Sequence, residues 1–175
     1  MAGIVRDWRI EFMAAHPRLF AVASQGYPAC GDGWHDLLER CCVRIEAALA
    51  EGDQFVVEDI KSTYGTLRLY WGGRLTDAAK AEVEEAIELA EARSACTCET
   101  CGLPGRIYER GDWLETACQD HARGEPVPVK AGRENLRVVG RLVEDRLRIV
   151  SCKRYDRETD SFTDVDPLSV GIEEE

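Results

Sequence analysis

The chain has 175 residues, 45% of them hydrophobic and 31% charged, with 22 Lys and Arg against 33 Asp and Glu for a formal net charge of −11. That length suits one ordinary core with at most a small appended unit, and no apolar run is long enough to span a bilayer. The charge works against a phosphate backbone unless a basic patch is segregated on the surface. Arg6, Asp7, Arg9 and Glu11 interrupt the N-terminal stretch and exclude the apolar core of a secretory signal, so a cytoplasmic location is expected.

In chain order, residues 3–15 read as a short amphipathic helix with Ile4, Trp8 and Phe12 on one side, ended by Pro17. The stretch "GYPACGDGW" is a loop, and Asp32 is a candidate cap for the next helix. There Trp34, Leu37, Leu38, Cys41, Cys42, Ile45 and Leu49 recur at helical spacing. "QFVVEDIK" and "TLRLYW" read as a hairpin around Ser62-Thr63-Tyr64-Gly65. Thr76 or Asp77 caps a third helix, whose apolar stripe is Ala79, Val83, Ile87 and Ala90. After the cysteine cluster "RIYERGDWLETAC" reads as a second hairpin turning at Gly111-Asp112. "GEPVPVKAG" reads as a linker, and "LRVVGRLVE", "RLRIVSCKRYD" and "SFTDV" as strands.

The charges of the last third are segregated. From Glu125 to Arg157 there are nine Lys or Arg against five acids, and from Glu158 to Glu175 seven acids and no base. The two stretches are expected to pair, an arrangement that would keep the basic strands off nucleic acid.

Chemistry concentrates in "CTCETCGLPG" and the "CQDH" that follows. Cys98 and Cys101 form a C-x2-C, and Cys118 with His121 a C-x2-H; in each, one tight turn offers two ligands to the same ion. Three thiolates and one imidazole suit zinc in closed tetrahedral geometry, with no position left for a reactant. Other readings compete. A thioredoxin-like C-x-x-C follows a strand, whereas this one follows a helix, and a c-type haem site needs His where Gly102 stands. An iron–sulfur cluster taking Cys96 leaves His121 unexplained. Cys96 is the reserve ligand, and Cys30, Cys41, Cys42 and Cys152 read as reduced and mostly buried.

"GDGWHDLLERCC", "IKSTYGTLRLYW" and "CETCGLPGRIYERGDWLETACQDHA" together resemble a family of small zinc-knuckle proteins of bacteriophages and proteobacteria. The shared pattern falls on Gly33-Trp34, Lys61 to Tyr70, Cys98 to Gly105, and Cys118 with His121. The resemblance covers about residues 30 to 122 and leaves the segment from Gly124 onward outside. It implies a mobile-element origin, hence a bacterial host cytoplasm, and supports the metal site; it brings no activity with it.

His16, at a helix end, reads as a surface residue. His35, with Asp32, Asp36 and Glu39 near it in sequence, is a candidate for a proton relay or second metal site, against a plain helix-start histidine. No Gly-rich phosphate loop, HExxH or nucleophile elbow is present, and a non-catalytic role is expected. Arg68, Tyr70, Arg106, Tyr108 and Arg110 are the candidate surface for single-stranded nucleic acid, which the net charge opposes. Glu84, Glu88 and Glu91, with neighbouring Glu82, Glu85 and the C-terminal acids, are the candidate surface for a protein partner.

The expected architecture is α+β: helices packed on a small antiparallel sheet, with a Cys3His zinc knuckle and a β-rich C-terminal extension. Its units are an α+β core at 1–95, the knuckle at 96–123, a linker at 124–130 and the extension with its acidic tail at 131–175. The expected role is binding a host protein or complex, inhibiting a defence or nucleic-acid-processing system through an acidic surface. A single-stranded nucleic-acid-binding regulator and a Cys98–Cys101 redox protein are the alternatives.

Overall fold

The computed structural model describes residues 7–21 and 25–173. Helix α1 (Trp8–Ala15) is capped by Asp7, whose carboxylate accepts from Arg9 N at 3.1 Å. It begins later than the spacing predicts, and Ile4 lies outside the described residues. It stops at His16 because the residue before a proline is pushed out of helical backbone.

Strand β1 (Pro28–Ala29) leads through a single 3-10 turn into α2 (His35–Ala48). Asp32 does not cap this helix. Its carboxylate accepts instead from Trp8 Nε1 at 2.8 Å and Arg9 Nη2 at 3.0 Å, tying α1 to the entrance of α2. The other end is closed by Arg18, whose guanidinium donates to the carbonyls of Leu49 and Ala50.

Strands β2 (Gln54–Thr63) and β3 (Thr66–Arg74) form an antiparallel hairpin, and β1 joins β2 in parallel. The turn is two residues, Tyr64 and Gly65, both with positive φ, the geometry that matches the twist of the flanking strands. Helix α3 (Asp77–Ser94), capped by Thr76, lies on α2 and β3. The apolar stripe of α2 meets Val57, Ile60, Leu67 and Leu69 from the sheet and Val83, Ala86 and Ile87 from α3. Trp34, Leu38, Cys41, Cys42 and Ile45 are wholly buried there, each large apolar side chain contributing about 1.5–3 kcal/mol.

Two further sheets follow. Strands β4 (Arg106–Arg110) and β5 (Trp113–Ala117) make the second hairpin, and β6 (Glu125–Pro126) pairs on the free side of β4. The expected linker is therefore partly a strand. Its prolines are tolerated because β6 is an edge, and Val127 N donates to Ile107 O at 2.9 Å. Strands β7 (Leu136–Val143), β8 (Arg146–Asp156) and β9 (Ser161–Asp164) form an antiparallel sheet in that order. It docks on α3 through Tyr155, which is buried with Leu89 and Cys96. The architecture is α+β, and among the described residues no helix is long and apolar enough to cross a membrane.

Candidate metal centre

Helix α3 delivers the chain into a knuckle at Cys98–Gly102. Cys98 N donates to Leu103 O at 2.8 Å and Gly102 N to Cys98 O at 2.9 Å. Closing this turn needs left-handed backbone at Gly102, whose φ is 78°. The β4–β5 register sets Arg106 opposite Ala117, so the end of the knuckle and Cys118 become neighbours. Glu99 N donates to Thr116 O at 2.9 Å, and His121 N to Cys118 O at 3.1 Å, folding the second pair into its own tight turn.

The sulfurs of Cys98, Cys101 and Cys118 and a ring nitrogen of His121 thereby lie within 4.8 Å of one another. Cys101 Sγ stands 3.7 Å from Cys118 Sγ, and His121 Nδ1 is 3.3 Å from Cys118 Sγ and 3.6 Å from Cys98 Sγ. A tetrahedral ion with metal–sulfur bonds of about 2.3 Å and metal–nitrogen bonds of about 2.0 Å requires edges of roughly 3.8 Å and 3.5 Å. The group is close enough to hold a metal ion, and its dimensions are compatible with zinc bound through Nδ1.

Its electrostatics agree. Burial works against ionising Cys98, but the amides of Cys118, Cys101 and Thr100 aim at its sulfur and bring the thiol down to about 6. At Cys101 the Leu103 amide pulls the other way from burial and the neighbouring sulfurs of Cys98 and Cys118, which carry that thiol above its ordinary value. A bound cation offsets the repulsion between crowded thiolates. The thiols of Cys30 and Cys41, by contrast, are pushed up to about 12, chiefly by burial, and are inert packing groups.

The knuckle is fastened to the core by residues the ligand spacing does not reveal. Gly33 N donates to Glu99 O at 2.8 Å, and the buried Trp34 Nε1 to Thr97 O at 2.9 Å. The Glu99 carboxylate accepts from Gly31 N and from Ser62 Oγ, each at 3.0 Å. From the other side, Arg157 of the C-terminal extension donates to Gly102 O at 3.1 Å and Thr97 Oγ1 at 3.3 Å. Sequence reasoning missed Glu99 and Arg157, whose partners are distant in the chain. The resemblance points to Gly33-Trp34, and the hydrogen bonds to Glu99 O and Thr97 O give the pair its physical role.

The remaining candidates are placed differently. Cys96 turns away from the ligands, its Sγ 3.3 Å from Arg93 O and packed against Leu89 and Tyr155. His16 is not a surface residue: it is buried, with Nδ1 3.1 Å from Glu46 Oε2 and Nε2 3.1 Å from Glu39 Oε1. Glu39 is thereby taken from His35, which stacks on Trp8 at 4.5 Å. Asp36 pairs with Arg40 at 2.7 Å, so the carboxylates expected around His35 are engaged elsewhere.

On α3, Glu88 and Glu91 pair with Arg137 of β7 at 3.7 and 3.0 Å, and Glu84 with Lys80 at 3.8 Å. Two of the three candidate partner-binding acids thus fasten the C-terminal sheet. The candidate nucleic-acid residues divide between separate sheets. Arg68 bonds to Thr66 Oγ1 and Leu67 O, the Tyr70 ring holds Lys61 at 4.9 Å, and Arg106 donates to Val127 O. Tyr108 is half-buried and Arg110 is exposed at the second hairpin's turn. Comparison with protein-family models, curated proteins and solved structures finds no match to this chain, so its function is argued from the site alone.

Proposed function

We propose that the chain is a non-catalytic, zinc-stabilised protein of phage or mobile-element origin that acts by binding a host protein or complex. The observation that carries this reading is the donor set. Cys98, Cys101, Cys118 and His121 would fill all four positions of a tetrahedral ion, leaving none for a substrate or activated water. The other two histidines support it, since His16 is held between two glutamates and His35 is stacked on Trp8. The net charge of −11 favours a basic protein partner over nucleic acid.

Elemental analysis of the untagged protein is the first test. About one zinc per chain is expected, with all eight cysteines titrating as free thiols once the protein is denatured in chelator. No metal, with thiols missing from the count, would instead mean a Cys98–Cys101 disulfide and a redox protein. Capture from bacterial host lysate should then depend on zinc. Equal capture by zinc-loaded and chelator-stripped protein would defeat the reading. Retention on DNA or RNA that falls steeply with salt would replace it with the nucleic-acid alternative.

A further inference from the structure

The β2–β3 turn packs along β5, and an unburied aromatic ring stands on each side of the hollow between them. Tyr64 sits in the β2–β3 turn at φ 53°, a left-handed position that Asn or Gly fills at less cost, and is 73% exposed. Trp113, the first residue of β5, is 64% exposed. The β2–β3 turn is locked onto the knuckle end of β5. Thr116 Oγ1 donates to Gly65 O at 2.5 Å, and a Cβ on Gly65 would stand 3.2 Å from the Glu115 backbone.

Tyr64 and Trp113 border a depression of about 240 Å³ with Asp112 and Leu114. Ser62, Trp113 and Leu114 also wall a neighbouring cleft of about 570 Å³ that reaches Asp120. Large rings left in water forgo the burial that normally justifies them, and an exposed aromatic groove marks a contact surface.

Charge selects the occupant. Glu99, Asp112, Glu115 and Asp120 line the two hollows, against Arg123 as the basic residue. Glu99 is spent on Gly31 N and Ser62 Oγ, and Glu115 accepts from Arg123 N at 2.9 Å. The carboxylates of Asp112 and Asp120 have no ion-pair partner among the described residues.

We infer that this groove seats an extended basic segment of the partner protein, one Arg side chain lying on the Trp113 ring with its charge toward Asp112 and a further basic residue in the neighbouring cleft facing Asp120. The inference rests on the binding role proposed above and names the chemistry of the partner. A guanidinium suits the groove better than an ammonium because its plane stacks on an aromatic face while its edge serves carboxylates.

An Arg-Gly repeat peptide titrated into the full zinc-loaded chain tests it, read by calorimetry and tryptophan emission. Saturable binding near physiological salt is expected, with a change in emission that Trp113→Ala abolishes. Trp113→Ala should weaken affinity about tenfold, and so should Asp112→Asn combined with Asp120→Asn. Glu82→Gln with Glu85→Gln, on the exposed face of α3, should leave it unchanged, and zinc content should stay the same in every variant. Failure of the wild-type chain to bind, unaltered binding by Trp113→Ala, or an equal loss on neutralising α3 would each overturn the groove. None of these alters zinc content or zinc-dependent capture, so the groove can fail separately from the function on which it rests.

Discussion

Gly33 supports the metal site by having no side chain. A Cβ there would collide with Cys98 O and stand 2.5 Å from Gly102 N and 2.8 Å from Cys101 N, so an alanine would push the knuckle off the entrance of α2. Gly33→Ala is expected to lower metal affinity about tenfold, the usual effect of disturbing what orients the ligands. Competition with a chromogenic chelator measures it, and unchanged affinity would show that the entrance loop does not support the knuckle. Cys98→Ser removes a ligand outright and should abolish binding in the same assay. His16 shows how tertiary contact overrides position in the chain. It lies beside a helix end, yet both ring nitrogens bond to carboxylates of α2 and its ring meets Phe12 edge-on at 5.3 Å. His16→Phe should cost about 1–2 kcal/mol by removing these bonds, read from urea unfolding of the metal-saturated protein.

The C-terminal sheet is held to the helices by a polar knot. Asp160 accepts from Tyr155 Oη at 2.6 Å and Arg44 Nη2 at 2.8 Å, with Arg93 at 3.7 Å and Arg40 at 3.6 Å. Burial raises the carboxyl, but the Tyr155 hydroxyl and the guanidinium groups of Arg44 and Arg93 outweigh it and hold Asp160 below its ordinary value. A depressed carboxylate contributes stability that is present above its unfolded pKa and is lost as pH falls through the folded one. Asp160→Asn should therefore destabilise the protein by about 3 kcal/mol near neutrality. The gap between variant and wild type should close as pH falls below about 4. Because metal loss in acid is common to both proteins, the difference in unfolding midpoint isolates Asp160; a gap independent of pH would refute its role. The acidic stretch thus meets bases through Asp160, which joins it to Arg40, Arg44 and Arg93 of the helices.

At the scale of the molecule, the candidate metal centre and the apolar core occupy different parts. The cluster uniting α2, α3, β2 and β3 is apolar and contains none of the four ligands. The β4–β5 hairpin is mostly exposed or half-buried, and its open end runs into the Cys98–Gly102 and Cys118–His121 turns. Chelation is expected to strip amide-exchange protection from Cys98–His121 while α2 and α3 keep theirs, since a site absent from the unfolded segment makes binding energy into folding energy. Uniform loss across both helices would show instead that the metal stabilises the whole chain.

The amino-acid sequence by itself determined the features written in short-range chemistry. The α2 stripe, the Tyr64-Gly65 and Gly111 turns, the Thr76 cap and the paired C-x2-C and C-x2-H are each local, and the α+β class follows from their order. The four candidate ligands were legible because each pair sits on one turn and the intervening hairpin is short. Tertiary structure decided everything that joins residues far apart in the chain. The seating of Gly33 and Trp34 on the knuckle, Glu99 between Gly31 and Ser62, His16 between two glutamates, and Glu88 and Glu91 on Arg137 leave no periodic trace. A side chain's partner is set by which surfaces the core brings together, and spacing along the chain does not encode that.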